Sequence, residues 1–495
     1  MGLLTKLQEK QTSLTILALV ALVSCLFSPS IAPLFVRWLK LNQDLSHGLP
    51  TLVIFVFLIW RIIPITQIRN SDTTYWFLYA VLALFSFVWY LFQSINVQLI
   101  SALLLIVVLT IYLAACFSLK TAVDLFPFLG LLLFVVPILS SLTDQLVLLS
   151  SFVVGGLVDA VKLTAIIEGN NILIPSGRIT IAEGCSGLRY LSITLLLAYI
   201  ICLMNGYSRR QSMLAILCAI GLGLLTNWVR IFLLVLVGYH SDMQSKLMHD
   251  HEMFGWILFT IIIMPAIYWA PIVRKNIEFS VRVSKCKPLI PTLALLLGPL
   301  LFWGTMQAEL SSNKLNLNGL IVPEIKEKSA AWVPISFPEQ TEKSRRSFSI
   351  DGVVIRMDLA KYTPLSSSEK LVPYIQNVYP AEDWVPADQS HLIEIRDFEL
   401  MLLKNINSSQ KILLLYQFNV GNSVTDSYRF AKLLQLKAKL LGENFFGLVV
   451  IQAGCAIDCR EEIAAIKKIT QDWQLNKFSD MRSVGSFPAD PSPSY

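Results

Sequence analysis

The chain has 495 residues, of which 55% are apolar and only 15% charged, a balance that excludes a single water-soluble fold. Residues 1–306 hold 19 Lys and Arg against 12 Asp and Glu, whereas residues 307–495 hold 21 against 22, so the first part reads as membrane and the second as a water-soluble domain. The net charge of +6 belongs to the membrane part, where it bears on orientation and gives no reason to invoke nucleic acid.

Apolar runs of bilayer length, about 20 residues each, are predicted at 12–30, 48–66, 75–93, 97–117, 122–142, 187–205, 211–238, 254–273 and 288–306. Lys6 and Lys10 precede the first run as in a signal peptide, but with eight runs behind it a retained anchor is expected. With the N-terminus inside, the inner connections hold twelve Lys and Arg, among them Arg61, Lys120, Arg209 and Lys287. The outer ones hold five: Arg37, Lys40, Lys162, Arg178 and Lys246. Nine spans from an inside start leave residues 307–495 outside, on the periplasmic face of a Gram-negative inner membrane. The expected class is a polytopic α-helical membrane protein of about nine spans, residues 1–306, with a C-terminal soluble α+β domain, residues 307–484. Strand-like runs lie at Val353–Leu359, Leu392–Ile395, Leu400–Leu403, Ile412–Phe418 and Phe445–Ile451, and helical periodicity at Ser423–Leu441 and Arg460–Trp473. Residues 485–495, with Pro-Ser-Pro-Ser, read as a disordered tail.

Eight cysteines do not make a disulfide framework. Cys455 and Cys459 lie in the outer domain, where an oxidising compartment permits pairing, although spacing alone does not establish it. There is no Gly-rich phosphate loop and no zinc-type cysteine pairing, so neither cofactor nor metal is expected.

Three segments carry chemistry. The stretch of about 40 residues between the fifth and sixth runs is expected to be an outer loop ending in Ala182-Glu183-Gly184-Cys185-Ser186-Gly187-Leu188-Arg189. Cys185 then sits where the chain enters a helix, facing free backbone N–H groups and the positive end of the dipole, a setting that favours the thiolate. Arg189, four residues on, is expected to share its face. The seventh run contains Asn227-Trp228-Val229-Arg230, with the arginine about eight residues, or roughly 12 Å of helix, from the outer end. An arginine at that depth costs several kcal/mol unless paired or wetted, and its natural task is to hold a carboxylate or an oxyanion. The third segment, His249-Asp250-His251-Glu252, enters the eighth run, and either histidine suits a general base beside a thiol. Each residue alone also has an ordinary reading: a packed thiol, a snorkelling arginine, a solvated histidine. Their coincidence at the outer third of neighbouring helices favours the chemical one.

On these residues the sequence resembles the exosortases, multi-pass membrane cysteine transpeptidases of Gram-negative bacteria. The matching motifs are Ala182 to Arg189, Asn227-Trp228-Val229-Arg230, and Asp250-His251 followed by Gly255-Trp256. Asp44-Leu45-Ser46-His47-Gly48, Glu168-Gly169-Asn170 and Ile174-Pro175-Ser176-Gly177 also look like that family's outer segments, and the likeness covers about residues 30–275. It implies Cys185 as nucleophile with Arg230 and His251 completing the site, and Arg189 and Asn227 in support. It further implies exported substrates bearing a C-terminal Pro-Glu-Pro motif, an apolar helix and a basic tail, a bilayer setting, a link to exopolysaccharide or envelope assembly, and an envelope glycan or lipid as an acceptor. The outer domain resembles the exosortase-associated domain at Tyr416 to Gly421 and Ala431-Lys432-Leu433, with no catalytic role to transfer. Three other readings stand beside this one. Gly184-Cys185-Ser186-Gly187 also fits a rhomboid-like intramembrane serine protease using Ser186. His249, Asp250, His251 and Glu252 weakly suggest a metal-dependent protease. A non-catalytic exopolysaccharide transporter or scaffold would use Arg230 to line a path.

Overall fold

The computed structural model describes residues 2–40, 44–62, 65–67, 76–181, 183–249, 252–271, 281–283, 287–312, 332–337, 342–362 and 379–475, the last with gaps at 381–382, 388–394, 396, 407, 409, 422, 442, 444–445 and 456–458. The expected tail 485–495 and the histidine His251 lie outside the described residues. The chain divides into two compact units, Met1–Trp89 with Gln98–Pro299, and Tyr90–Val97 with Leu300–Tyr495.

The first unit is built of α1 (Gly2–Leu26), α2 (Ser28–Leu39), α3 (Gly48–Phe57), β1 (Ile65–Gln67), α4 (Trp76–Ser94), α5 (Gln98–Cys116), α6 (Leu119–Leu129) and α7 (Thr143–Ala160). There follow β2 (Ile166–Glu168), β3 (Asn171–Ile174), β4 (Gly177–Thr180), α8 (Leu188–Asn205), α9 (Arg209–His240), α10 (Lys246–His249), α11 (Glu252–Trp269), β5 (Val281–Val283), α12 (Leu289–Leu295) and α13 (Leu297–Ser312), which leads into the second unit. Among the described residues five helices are long and apolar enough to cross a membrane, six if α1 and α2, bent by 96°, form one span. Three more apolar helices, Gly48–Trp60, Met253–Trp269 and Leu289–Thr305, are shorter. The protein is thus a multi-pass membrane protein.

One expectation needs correction. The predicted span 122–142 is no single helix, and the residues after it are no loop. α6 contains Pro127, tightens into a 3-10 turn over Gly130–Val135, and stops where Val136 turns extended (φ −107°, ψ 142°) before Pro137. Proline has no N–H to donate and forbids the α conformation to its predecessor, so the ladder must break there. Helix then resumes through a 3-10 turn, Leu139–Leu142, into the 18 residues of α7. Contacts order this broken segment along α8. Tyr199 donates to the Pro127 carbonyl (2.7 Å), Leu146 packs with Leu188 and Leu191, and Val154 and Val158 join Ile231 and Val235 of α9. α6 and α7 therefore form one continuous ascent beside α8.

The stretch after α7 folds as a three-stranded antiparallel sheet, β2-β3-β4, seated on α7 and α9. Ser151 donates to the Gly169 carbonyl (2.5 Å) and Ser176 to that of Gly238 (3.4 Å). At Gly155 the Ile167 side chain packs directly over the helix backbone, its Cδ1 2.5 Å from where a Cβ would lie.

The second unit has β6 (Glu342–Ile350), β7 (Val353–Tyr362), β8 (Trp384–Pro386), β9 (Glu399–Asn405), β10 (Lys411–Val420), β11 (Ser423–Thr425), α14 (Tyr428–Leu440), β12 (Phe446–Cys455) and α15 (Arg460–Leu475). Its seven-stranded sheet is antiparallel throughout, in order β6-β7-β12-β10-β9-β8, with β11 on β10. Alternation along β10 sends Leu414 and Phe418 to one apolar core, with Ala431 and Ala438 of α14, and Leu413 and Leu415 to another, with Ile463 and Ile466 of α15. With both faces covered, β10 and β12 read as continuous apolar runs, as they do in the sequence. Four of the five strand expectations fall on β7, β9, β10 and β12. At Leu392–Ile395 the described residues give only a bridge, Ile395 to Phe398, and the start of Ser423–Leu441 is β11 rather than helix. A disulfide joins Cys455 to Cys459, fastening the end of β12 to the start of α15.

Candidate active site

Glu183–Cys185 form a single 3-10 turn between the three-stranded sheet and α8. Cys185 is half-buried and carries a free thiol. Gly187 follows in the left-handed region (φ 84°) and acts as N-cap of α8. Two constraints demand glycine there: that φ, and the lack of room, since a Cβ would lie 2.7 Å from Asn227 Cγ. The same kink overturns one expectation. Cys185 lies two residues before the N-cap, not in the helix, so Arg189 shares no helical face with it.

Asn227, fully buried on α9, ties the site together. Its Nδ2 donates to the Cys185 carbonyl (2.8 Å) and to Ser150 Oγ on α7 (3.2 Å). One side chain thus fixes the thiol-bearing turn against two helices. At the same level Gly223 of α9 lets the helices close up, a Cβ there lying 2.9 Å from Leu191 Cα. Ser186 is 2% exposed, and its Oγ accepts the Leu188 N–H (3.3 Å), a local side-chain turn just ahead of the N-cap.

Arg230, three residues beyond Asn227, is 6% exposed. Its guanidinium carbon sits 5.8 Å from the centroid of the Tyr190 ring, which stacks on Phe259 (5.4 Å, 22°) and meets Trp256 edge-on. Among the described residues Arg230 has no acidic partner, and its Nε has no hydrogen-bond acceptor. A buried cation held by an aromatic face alone is a ready receptor for an anion. Gly255 makes this packing feasible: a Cβ would collide with the Tyr190 hydroxyl and lie 2.9 Å from Arg230 Nε. The start of α11 is therefore drawn against Tyr190 and Arg230. His251 lies just before that start, outside the described residues, as does Asp250. Arg189 is half-buried at the first turn of α8 and engaged in a contact of its own. Sequence reasoning missed Tyr190, Gly187 and Ser150; a glycine beside the cysteine and serines in an apolar run were the available signals.

A multi-pass membrane fold with a half-buried free thiol on a turn, clamped to a helix that also carries a buried arginine with no acidic partner among the described residues, defines a class of membrane thiol site. Residues 38–268 match the family whose description is transmembrane exosortase. This part of the chain is thus similar to the exosortases. No curated protein and no solved structure matches the chain.

Proposed function

We propose that the protein is a membrane cysteine transpeptidase that cleaves C-terminal sorting signals of exported proteins, those with a Pro-Glu-Pro motif, an apolar helix and a basic tail. The observation that carries this reading is the hydrogen bond from Asn227 to the Cys185 carbonyl, which unites the cysteine motif and the arginine motif in one site. Cys185 passes its thiol proton to His251 as its Sγ attacks the scissile carbonyl carbon, and the electron pair displaced to oxygen makes an oxyanion. Arg230 either stabilises that oxyanion or grips the glutamate of the motif. Collapse breaks the C–N bond, leaves a thioester on Cys185, and frees the tail as an amine that takes its proton from His251. Water or an acceptor amine or hydroxyl from an envelope glycan or lipid then attacks the thioester, giving its proton to His251 and restoring the thiol. Burial of Ser186 and the engagement of its Oγ by the Leu188 N–H favour the cysteine over a serine mechanism.

The proposed site is the inner membrane, with the N-terminus cytoplasmic and the second unit, an exosortase-associated domain linked to exopolysaccharide or envelope assembly, in the periplasm. Same-side pairing supports this. β1 pairs with β5, and the Lys287 N–H donates to the Cys116 carbonyl (2.9 Å), joining segments that the charge rule puts inside. Asp44 accepts from Arg37 (3.0 Å), both in a segment put outside, and from Ser140 (2.6 Å) of the predicted span 122–142. The Cys455–Cys459 disulfide suits an oxidising compartment. The test is coexpression of a tail-bearing substrate with the unsubstituted chain, Cys185→Ala or Ser186→Ala. Shortened substrate is expected with the first and third only; processing that survives Cys185→Ala and fails in Ser186→Ala would hand the site to the serine.

A further inference from the structure

The two helices that cover the sheet of the second unit present different surfaces. α15 exposes Arg460, Glu461, Ala464 and Lys468, an ordinary water-facing set, and no large apolar side chain among its described residues. α14 exposes Phe430 (53%), Leu433 (61%) and Leu440 (60%), with Leu441 (63%) directly after it. At 100° per residue these four and the exposed Arg429 and Lys437 fall within one arc of about 120°, opposite the buried Ala431, Gln435 and Ala438. Lys432 and Lys439, both half-buried, lie together on one side of that arc, Lys432 Nζ over the Tyr428 ring; residues 428–441 contain no acid, and Asp426 and Glu443 stand just beyond the ends. A water-bound helix has no reason to turn three leucines and a phenylalanine outward, and a purely protein-binding face has no reason to set two exposed cations, Arg429 and Lys437, among them.

The pattern points to one occupant. Apolar side chains set among Lys and Arg are the signature of a helix lying in a membrane interface, the former sunk at the headgroup boundary and the latter reaching anionic headgroups. A second copy fits poorly: a two-fold contact through this face would bring Arg429 and Lys437 of each copy against those of the other. A bilayer is also tethered to this unit by the backbone, since the same chain carries membrane-length helices, and tethering raises the effective concentration of the surface. We infer that the outward face of α14 is a docking surface for an anionic phospholipid membrane. This goes beyond the proposed reaction and does not depend on it.

The test uses the full chain in lipid nanodiscs, with an environment-sensitive fluorophore on Leu433→Cys and the unsubstituted chain labelled in parallel to subtract its own thiols. In discs containing phosphatidylglycerol the emission should shift to the blue and be quenched by a nitroxide carried on lipid. Both effects should be lost in phosphatidylcholine discs, and lost in phosphatidylglycerol discs when Arg429→Glu and Lys437→Glu are added, with circular dichroism unchanged. A label that stays open to a water-soluble quencher in phosphatidylglycerol overturns the inference. So does equal lipid quenching in both disc types, which removes the charge recognition, and so does a label shielded from water yet untouched by the lipid nitroxide, which means a protein partner.

Discussion

At the scale of the residue, the site's character comes from groups whose bonding is deliberately incomplete. Arg230 is buried against Tyr190 with Nε unsatisfied, an arrangement that costs free energy unless an anion arrives. A guanidinium offers two parallel donors where an ammonium is a compact point charge. Arg230→Lys is therefore expected to lower the processing rate by about tenfold or more, measured on a tail-bearing substrate in membranes; near-normal rates would reduce Arg230 to a generic counter-charge. For His251 the argument is one of sequence: it lies four residues before Gly255, and α11 brings Gly255 against Arg230. His251→Ala should abolish processing and His249→Ala should not. Activity of the unsubstituted chain should fall as pH drops through about 6–7, where an imidazole base takes up its proton. The reverse pattern in the two variants would move the assignment to His249.

At the scale of the element, the fifth apolar segment decides the architecture around the thiol. Its apolarity runs unbroken across Pro137, so composition gives no sign that α7 begins there; backbone chemistry supplies the break. The four other long apolar helices, α4, α5, α8 and α9, and the strands buried on both faces were legible because burial leaves an apolar run in the sequence. β6 was not, since it is an edge strand rich in charged residues, of which the exposed Arg345 reaches the buried Asp358 at 2.6 Å. The site residues were legible by type, but the clamp was not, because Asn227 to Ser150 spans 77 positions. Asn227→Ala strands the Cys185 carbonyl and Ser150, and should cost about 1–3 kcal/mol of stability, read as a lowered Tm, with a larger loss of activity than Ser150→Ala causes. A pH effect belongs here too. His47, 7% exposed at the start of α3, donates from Nε2 to the Phe134 carbonyl (2.9 Å) and caps the broken segment. Burial pushes its pKa below the ordinary 6.5, partly opposed by that bond and by Asp44. The folded chain thus prefers the neutral ring: stability is full above 6.5 and falls as pH drops from there towards the lower folded value. Tm should decline over that window, and His47→Gln should flatten the decline; an unchanged slope would mean that another group is responsible.

At the scale of the whole molecule, the account joins a membrane thiol site to a soluble unit closed by a disulfide. Cys455 and Cys459 enclose a short loop, and opening it should cost about 2 kcal/mol on chain-entropy grounds. Orientation can be read from the same pair. In intact cells given a mild reductant, an impermeant thiol reagent should label both, and should reach Cys185 while sparing Cys116; labelling only after the membrane is opened would put the second unit inside. The central claim is that Cys185 carries the acyl group between cleavage and transfer. The direct measurement is mass spectrometry of the acid-quenched protein after incubation with a tail-bearing substrate. The account predicts a hydroxylamine-labile thioester on the peptide containing Cys185, absent in Cys185→Ala. Cleaved substrate with no such adduct, or with an adduct on Ser186 that resists hydroxylamine as a thioester would not, contradicts it.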